Sequence, residues 1–150
     1  MSYNVIDTQS LNEAIAMAVE AHNSQVDKNG HPYILHPLRV MTDVYDGGYD
    51  LATVRAAVLH DVVEDTDVEL DEVQTTFGDW TAILVDCVSR ADGETYKDFI
   101  ERVAENDDAT AIKLADIRDN MNPMRITRNA GLYKRYAKAY YRLTYGVWPS

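Results

Sequence analysis

The chain has 150 residues, 46% of them hydrophobic and 26% charged, which suits one soluble globular domain spanning 1–150 and argues against disorder. A net charge of −11 disfavours sequence-independent binding to long nucleic acid, and a single cysteine, Cys87, excludes an intrachain disulfide framework or a Cys-rich zinc site. No apolar run approaches the roughly 18–20 residues that cross a bilayer, and MSYNVIDTQS lacks the basic and apolar regions of a signal peptide, so a cytoplasmic protein with no membrane partner is expected.

Helical periodicity runs through nearly the whole chain. Leu11, Ala14, Ile15, Ala18, Val19 and His22 make one apolar stripe, with Ser10 and Glu13 placed as a capping box before it. Asn29-Gly30 and Pro32 then break the pattern into a loop. His36-Pro37 opens a second helix that Gly47-Gly48 ends, and Asp50 caps a third carrying Leu51, Val54, Ala57, Val58 and Val62. A short helix from about Asp67 stops at Gly78, another covers WTAILVDCV, and Thr95 with Asp98 starts YKDFIERVAE. Helices over roughly 108–121 and 130–145 finish the chain, separated at Pro123. The runs VRAAVLHDVV and TAILVDCV have the length of buried strands, but their alanine content and neighbouring caps favour helix. The spacing thus predicts a compact all-α bundle of about seven or eight helices. Cys87 falls inside one of these apolar runs and reads as a buried thiol.

Charge is distributed unevenly. Residues 1–112 hold 6 basic and 23 acidic residues, a net −17, whereas residues 113–150 hold 8 basic and 2 acidic, a net +6. A basic final quarter either pairs with the acidic remainder or attracts an anionic ligand. Within the acidic part, LHDVVEDT stands out. By helical spacing His60 lies beside Glu64, and Asp61 beside Glu64 and Asp65, a polar cluster interrupted by the core-facing Val62 and Val63. Such a cluster is costly to desolvate unless a cation compensates. A second carboxylate, Asp116 in AIKLADIRDN, follows apolar residues and shares its face with Lys113 and Asn120. Mixed imidazole and carboxylate donors suit Mn²⁺, Fe²⁺ or Zn²⁺. Without a metal, the same residues read as a helix terminus and an Asp116 ion pair with Lys113 or Arg118.

The order of these groups carries a resemblance. His36, the His60-Asp61 pair and Asp116 in KLAD follow the H…HD…D arrangement of the HD superfamily of metal-dependent phosphohydrolases. AHNSQVDKNGHPYILHPLRV, AAVLHDVVEDT, FGDWTAILVDCVSR and IKLADIRDNM resemble the hydrolase domain of RelA/SpoT homologues, and the size resembles a stand-alone small alarmone hydrolase. The likeness covers about residues 13 to 121 and implies an HD-type helical fold. It further implies that His36, His60, Asp61 and Asp116 bind one Mn²⁺, and that Glu64 and Asp65 position or activate the attacking water. Asn120 matches a residue contacting the substrate ribose, and Lys28 a basic residue of the nucleotide pocket. Lys97 and Lys113 are placed by spacing to offset substrate charge, and Tyr136 and Arg135 to reach a base or phosphate. Where the family has an Arg that stacks on guanine, this chain has Asp27, and a substrate-contacting Thr is Pro123. The family's Arg-Leu-His after KLAD is Ile117-Arg118-Asp119.

The activity implied is Mn²⁺-dependent hydrolysis of the 3′-pyrophosphate of guanosine tetra- and pentaphosphate, giving GDP or GTP. Asp27 and Pro123 keep open another nucleotide: an adenosine alarmone, the 2′-phosphate of NADPH, or a nucleoside mono- or triphosphate. A binding module without turnover is the reading from a different class, and the Glu64-Asp65 pair argues against it. The expected partner is a small nucleotide, and the sequence is compatible with a homo-oligomer. His22, on the apolar stripe, is expected to support His36 or the pocket loop, and His31 to lie on a surface loop.

Overall fold

A computed structural model of the protein describes residues 2–125 and 129–150. Arg128, one of the basic residues of the final quarter, lies outside the described residues. The described residues contain nine helices: α1 (Val5–Ala21), α2 (Leu35–Asp46), α3 (Leu51–Val58), α4 (Val62–Asp65), α5 (Leu70–Phe77), α6 (Asp79–Val88), α7 (Tyr96–Ala104), α8 (Asp107–Asn120) and α9 (Ala130–Tyr145). The all-α architecture is as the periodicity implied. An isolated bridge between Val26 and Pro32, closing the loop after α1, is the extended pairing among the described residues.

Two boundaries differ from the spacing argument. Helix α1 begins at Val5 rather than after Ser10, because Asn4 and Asp7 cap each other reciprocally. The Asn4 side chain accepts from the Asp7 N–H at 2.9 Å, and the Asp7 carboxylate accepts from the Asn4 N–H at 3.2 Å. Val5 and Ile6 in that first turn are exposed, so no apolar stripe announces it.

The second difference matters more. Spacing placed Val62 on the helix begun at Leu51, yet that helix stops at Val58 and a separate turn, α4, starts at Val62. Between them the backbone tightens into three-residue closures, His60 N–H to Ala57 C=O and Val62 N–H to Leu59 C=O. Consecutive residues of a continuous α-helix diverge by about 100° around the axis. The break instead lets His60 and Asp61 reach the same point.

The core is packed around α3 and α8. Val40 and Val44 of α2, Val54 and Val58 of α3, Leu84 and Val85 of α6, and Ile112 and Ala115 of α8 are buried together. Burying each Val, Leu or Ile contributes on the order of 1.5–3 kcal/mol. Helix α8 contacts α2, α3, α6, α7 and α9, and its Ala109, Ala111 and Ala115 leave room for those neighbours to approach. That central position explains why Asp116, on the face that α8 shares with Lys113 and Asn120, is buried. Helix α9 closes the far side through a second cluster formed by Ile100, Ile117 and Ala139, with Tyr140, Leu143 and Trp148 against it.

Candidate active site

Three elements deliver one centre. Helix α2 brings His36, the break after α3 brings His60 and Asp61, and α8 brings Asp116. All four are nearly excluded from solvent, from 1% exposure at His36 to 9% at Asp61. The Nε2 atoms of both imidazoles face the same two carboxylates. His36 Nε2 lies 3.1 Å from Asp116 Oδ1 and 3.5 Å from Asp61 Oδ2. His60 Nε2 lies 3.0 Å from Asp61 Oδ2 and 3.5 Å from Asp116 Oδ1. The two rings meet edge to face, with centroids 5.1 Å apart.

The far side of each ring fixes its orientation. His60 Nδ1 donates to the Ala57 carbonyl at 2.7 Å, and His36 Nδ1 to Asp119 Oδ2 at 2.6 Å. Each Nε2 therefore carries the lone pair toward the carboxylates in the neutral imidazole. His60 Nε2 is buried and makes no hydrogen bond. An orphaned buried nitrogen beside two carboxylates is the arrangement a cation completes, and the donor set of two imidazoles and two carboxylates fits a divalent transition metal.

Without a metal, protons stabilise the same charges. Burial pulls His36 down, but Asp116, Asp119 and Asp61 outweigh it and push the imidazole up to about 9. His60 is likewise raised despite burial, by the Asp61 charge first. Burial alone would raise Asp61 and Asp116. The neighbouring His60 charge holds Asp61 well below the usual carboxylate range, and Lys113 does the same for Asp116. Lys113 Nζ sits 2.7 Å from Asp116 Oδ2, and the Asn120 amide donates to Asp116 Oδ1 at 2.8 Å. These bonds come from positions i−3 and i+4 of one helix face. The ion-pair alternative read from the sequence is thus present, and it coexists with the four-residue centre.

Glu64 and Asp65 stand at the mouth of this centre. An oxygen from each lies within 4.8 Å of the other and of an Asp61 oxygen. Burial raises both carboxyls above their ordinary range, and the Asp61 charge adds to it. Glu64 Oε1 accepts the Arg90 backbone N–H at 3.0 Å. The loop carrying Arg90 is tied down by Arg102, whose guanidinium reaches the Ser89 carbonyl at 2.8 Å and both Glu94 oxygens at 2.9 Å.

A cavity of about 350 Å³ opens over the centre, a size suited to a small organic ligand. Its floor is His36, Asp61, Glu64, Asp65 and Asp116. Its rim carries Lys28, Arg90, Lys113, Arg125 and Arg135, with Tyr96 and Tyr136 between them. Arg135 lies over the Tyr96 ring at 4.4 Å and beside Tyr136 at 5.7 Å. The Tyr96 hydroxyl is buried without a hydrogen-bond partner.

Of the substrate-contacting residues expected from the sequence, Lys28, Asn120, Lys113 and Tyr136 line this cavity. Lys97 does not. Tyr96 and Phe99 present the cavity side of α7, and Lys97, one step round the helix, lies over Trp148 at 5.9 Å. Lys113 is less free than its spacing suggested, being held between Asp116 and the Phe99 ring at 4.9 Å. Asp27 is also engaged: its Oδ1 accepts the Asn29 and His31 N–H groups at 2.9 and 3.0 Å, bracing a turn that Gly30 completes at φ +81°. His22 Nδ1 donates to Gln25, whose amide holds the Asp65 carbonyl at 2.9 Å, so His22 supports the pocket loop. His31 is exposed. Cys87 is half-buried, and burial pushes its thiol up.

Sequence reasoning missed Tyr33, Arg125 and Asp119. The Tyr33 hydroxyl donates to Asp61 Oδ2, and the signal for it was present in HPYILHP, three residues before His36. Arg125 reaches Asn120 Oδ1 at 3.2 Å and lies 6.0 Å from the Tyr33 ring. No spacing rule connects Arg125 with Tyr33, since the seven helices α2 to α8 intervene.

Residues 14–129 match the HD domain family. A GTP pyrophosphokinase of Streptomyces coelicolor is 38% identical over 132 residues, covering 80% of this chain and 16% of that protein. A guanosine-3′,5′-bis(diphosphate) 3′-pyrophosphohydrolase of Aquifex aeolicus is 34% identical, covering 93% of this chain and 22% of its own length. The chain therefore spans about a fifth or less of these curated relatives. Among solved structures, a metazoan orthologue of SpoT described as hydrolysing ppGpp superposes with a TM-score of 0.79 at 27% identity, covering 99% of this chain and 90% of that one. A protein of Listeria monocytogenes superposes with a TM-score of 0.65 at 30% identity, covering 80% of this chain and 85% of that one. By its matched segment, its all-helical fold and its His-His-Asp-Asp centre, the chain belongs to the HD domain family.

Proposed function

We propose that the protein is an Mn²⁺-dependent phosphohydrolase that removes the 3′-pyrophosphate of guanosine tetra- and pentaphosphate in the cytoplasm, acting as one domain over 1–150. The observation that carries the reading is the convergence of two oriented imidazoles and two carboxylates beneath a cavity with a cationic rim. His36, His60, Asp61 and Asp116 would hold the cation. Bound there, it supplies Lewis acidity toward a phosphoryl oxygen and toward water.

The remaining steps belong to side chains. Glu64 and Asp65, both raised toward working pH, are suited to take the proton of the attacking water. The Arg90 N–H fixes Glu64, and Tyr33 and Asn120 hold Asp61 and Asp116 in place. A bond forms from the water oxygen to the phosphorus on the 3′ oxygen, the bond from that phosphorus to the 3′ oxygen breaks, and the nucleoside oxygen leaves with a proton. Pyrophosphate is released. Lys28, Arg135 and Tyr136 would meet the substrate's charge and base at the rim.

One observation favours a second reading, the same chemistry on another nucleotide. Asp27 is bound into its own turn, where stacking on guanine would call for a planar cation. Incubation of the purified chain with Mn²⁺ and a nucleotide panel separates the two. Pyrophosphate release from guanosine tetraphosphate supports the first reading. No turnover of it, with turnover of an adenosine alarmone, NADPH or a nucleoside mono- or triphosphate, moves the assignment to the second. Binding without product from any member would leave a binding module.

A further inference from the structure

The two imidazoles of the centre are held from behind by different partners. His60 Nδ1 meets a neutral backbone carbonyl, whereas His36 Nδ1 meets the Asp119 carboxylate at 2.6 Å. Asp119 is itself fixed from other sides. Arg39 Nε donates to its Oδ1 at 2.7 Å, an Arg39 terminal nitrogen to its Oδ2 at 3.2 Å, and Arg125 Nε lies 3.3 Å from Oδ2. Its side chain is 8% exposed, whereas that of Arg39 is 43% exposed, so the carboxylate is shielded while its Arg39 clamp faces solvent. Helical spacing explains how α8 supplies both Asp116 and Asp119 to one ring: they sit at i and i+3 on one face.

From this geometry we infer that Asp119 is a positioning residue for the metal centre, acting through His36 and clamped by Arg39. The inference rests on the metal reading of the site given above. An ionised carboxylate can only accept, so His36 Nδ1 must donate and Nε2 must face Asp61 and Asp116 with its lone pair. A charge-assisted bond is roughly twice as strong as a neutral one, so His36 is held more firmly than His60 and is the stronger donor to a cation. Asp119 touches neither substrate nor cation, and its effect passes entirely through the imidazole.

The test is Mn²⁺ binding to the full chain, measured by calorimetry on the wild type, Asp119→Asn and Asp119→Ala, with metal-free melting curves alongside. Partners of metal-ligating imidazoles are commonly worth about 10–100-fold in metal affinity. Asp119→Asn, which keeps an acceptor and loses the charge, is expected near ~10 in that range, and Asp119→Ala toward ~100. Raising Mn²⁺ should restore the centre in Asp119→Asn, with a cooperative metal-free melt showing that the fold is kept. Affinities within about twofold of wild type for both variants overturn the inference and leave the metal reading standing, a difference well below the range expected for such partners. A wild-type chain that binds no Mn²⁺ overturns both. Should Asp119→Ala fail to fold, the Asn variant decides alone.

Discussion

The floor and the rim of the cavity are built on opposite principles. Each of the four buried groups of the centre has a partner inside the fold: His36 on Asp119, His60 on the Ala57 carbonyl, Asp61 on Tyr33, Asp116 on Lys113 and Asn120. The rim is looser. Lys28, Arg90 and Arg135 are exposed, and Arg135 has aromatic neighbours rather than a carboxylate. A pre-arranged, water-excluded floor suits chemistry that recurs across substrates, because fixed groups need not reorganise when charge develops. An exposed rim can change residue by residue without disturbing the centre. The residues that carry the resemblance to RelA/SpoT hydrolase domains sit at the floor, while Asp27, where those domains have an Arg, lies on the cavity wall.

Substitutions should separate the two regions. The largest effect is expected for Asp116→Ala, which removes a candidate ligand and leaves Lys113 buried without its partner. Turnover should vanish and stability should fall by about 3–5 kcal/mol in urea denaturation. A variant that kept activity would break the distinction at once. Glu64→Gln should reduce kcat by about 10²–10⁴-fold with Mn²⁺ affinity unchanged, the signature of a lost proton acceptor. A lowered Mn²⁺ affinity instead would place Glu64 among the ligands.

The pH dependence of metal binding probes the floor alone. In the metal-free protein His36 titrates at about 9, above its ordinary value of 6.5. Its proton therefore contributes stability that is fully present below pH ~6.5 and lost as pH rises through about 9. Mn²⁺ needs the neutral ring, so its affinity should rise steadily between those limits, as calorimetry in buffers of different ionisation heat would show. Flat affinity across that range would mean that His36 is not a ligand. Arg135→Ala should have the smallest effect, raising KM by about 10-fold, one hydrogen bond to a charged group, with kcat retained. A fall in kcat at constant KM would make the rim part of the catalytic apparatus.

The same contrast governs what could be read from the sequence. His36, the His60-Asp61 pair and Asp116 were legible as a set through the resemblance that their order carries, while helical spacing by itself gave the cluster from His60 to Asp65 and the face shared by Lys113, Asp116 and Asn120. Even there the helix break at Leu59–Asp61 was invisible, since three-residue closures leave no mark on apolar spacing. Glu64 and Asp65 followed from their distance to Asp61 along the chain. The rim was legible in part: Lys28, Lys113, Arg135 and Tyr136 were named and line the cavity, whereas Arg90, Tyr96 and Arg125 were not. The contacts that brace the site from outside were hidden by sequence distance: Arg39 and Asp119 meet across 80 positions, and Asn29 holds the Met124 and Arg125 carbonyls across 95 and 96. Lys97 shows the cost of judging a cation by proximity in sequence: one residue beyond Tyr96, it turns to Trp148. Asp27 shows the converse, a departure from the family pattern that serves its own loop.

Crystals grown with Mn²⁺, measured for anomalous scattering at the manganese edge, would locate the cation. The expected peak is enclosed by His36 Nε2, His60 Nε2, Asp61 and Asp116, and is abolished in Asp116→Ala. A well-ordered wild-type crystal with no peak there, or with Mn²⁺ held elsewhere, would contradict the metal reading of the centre.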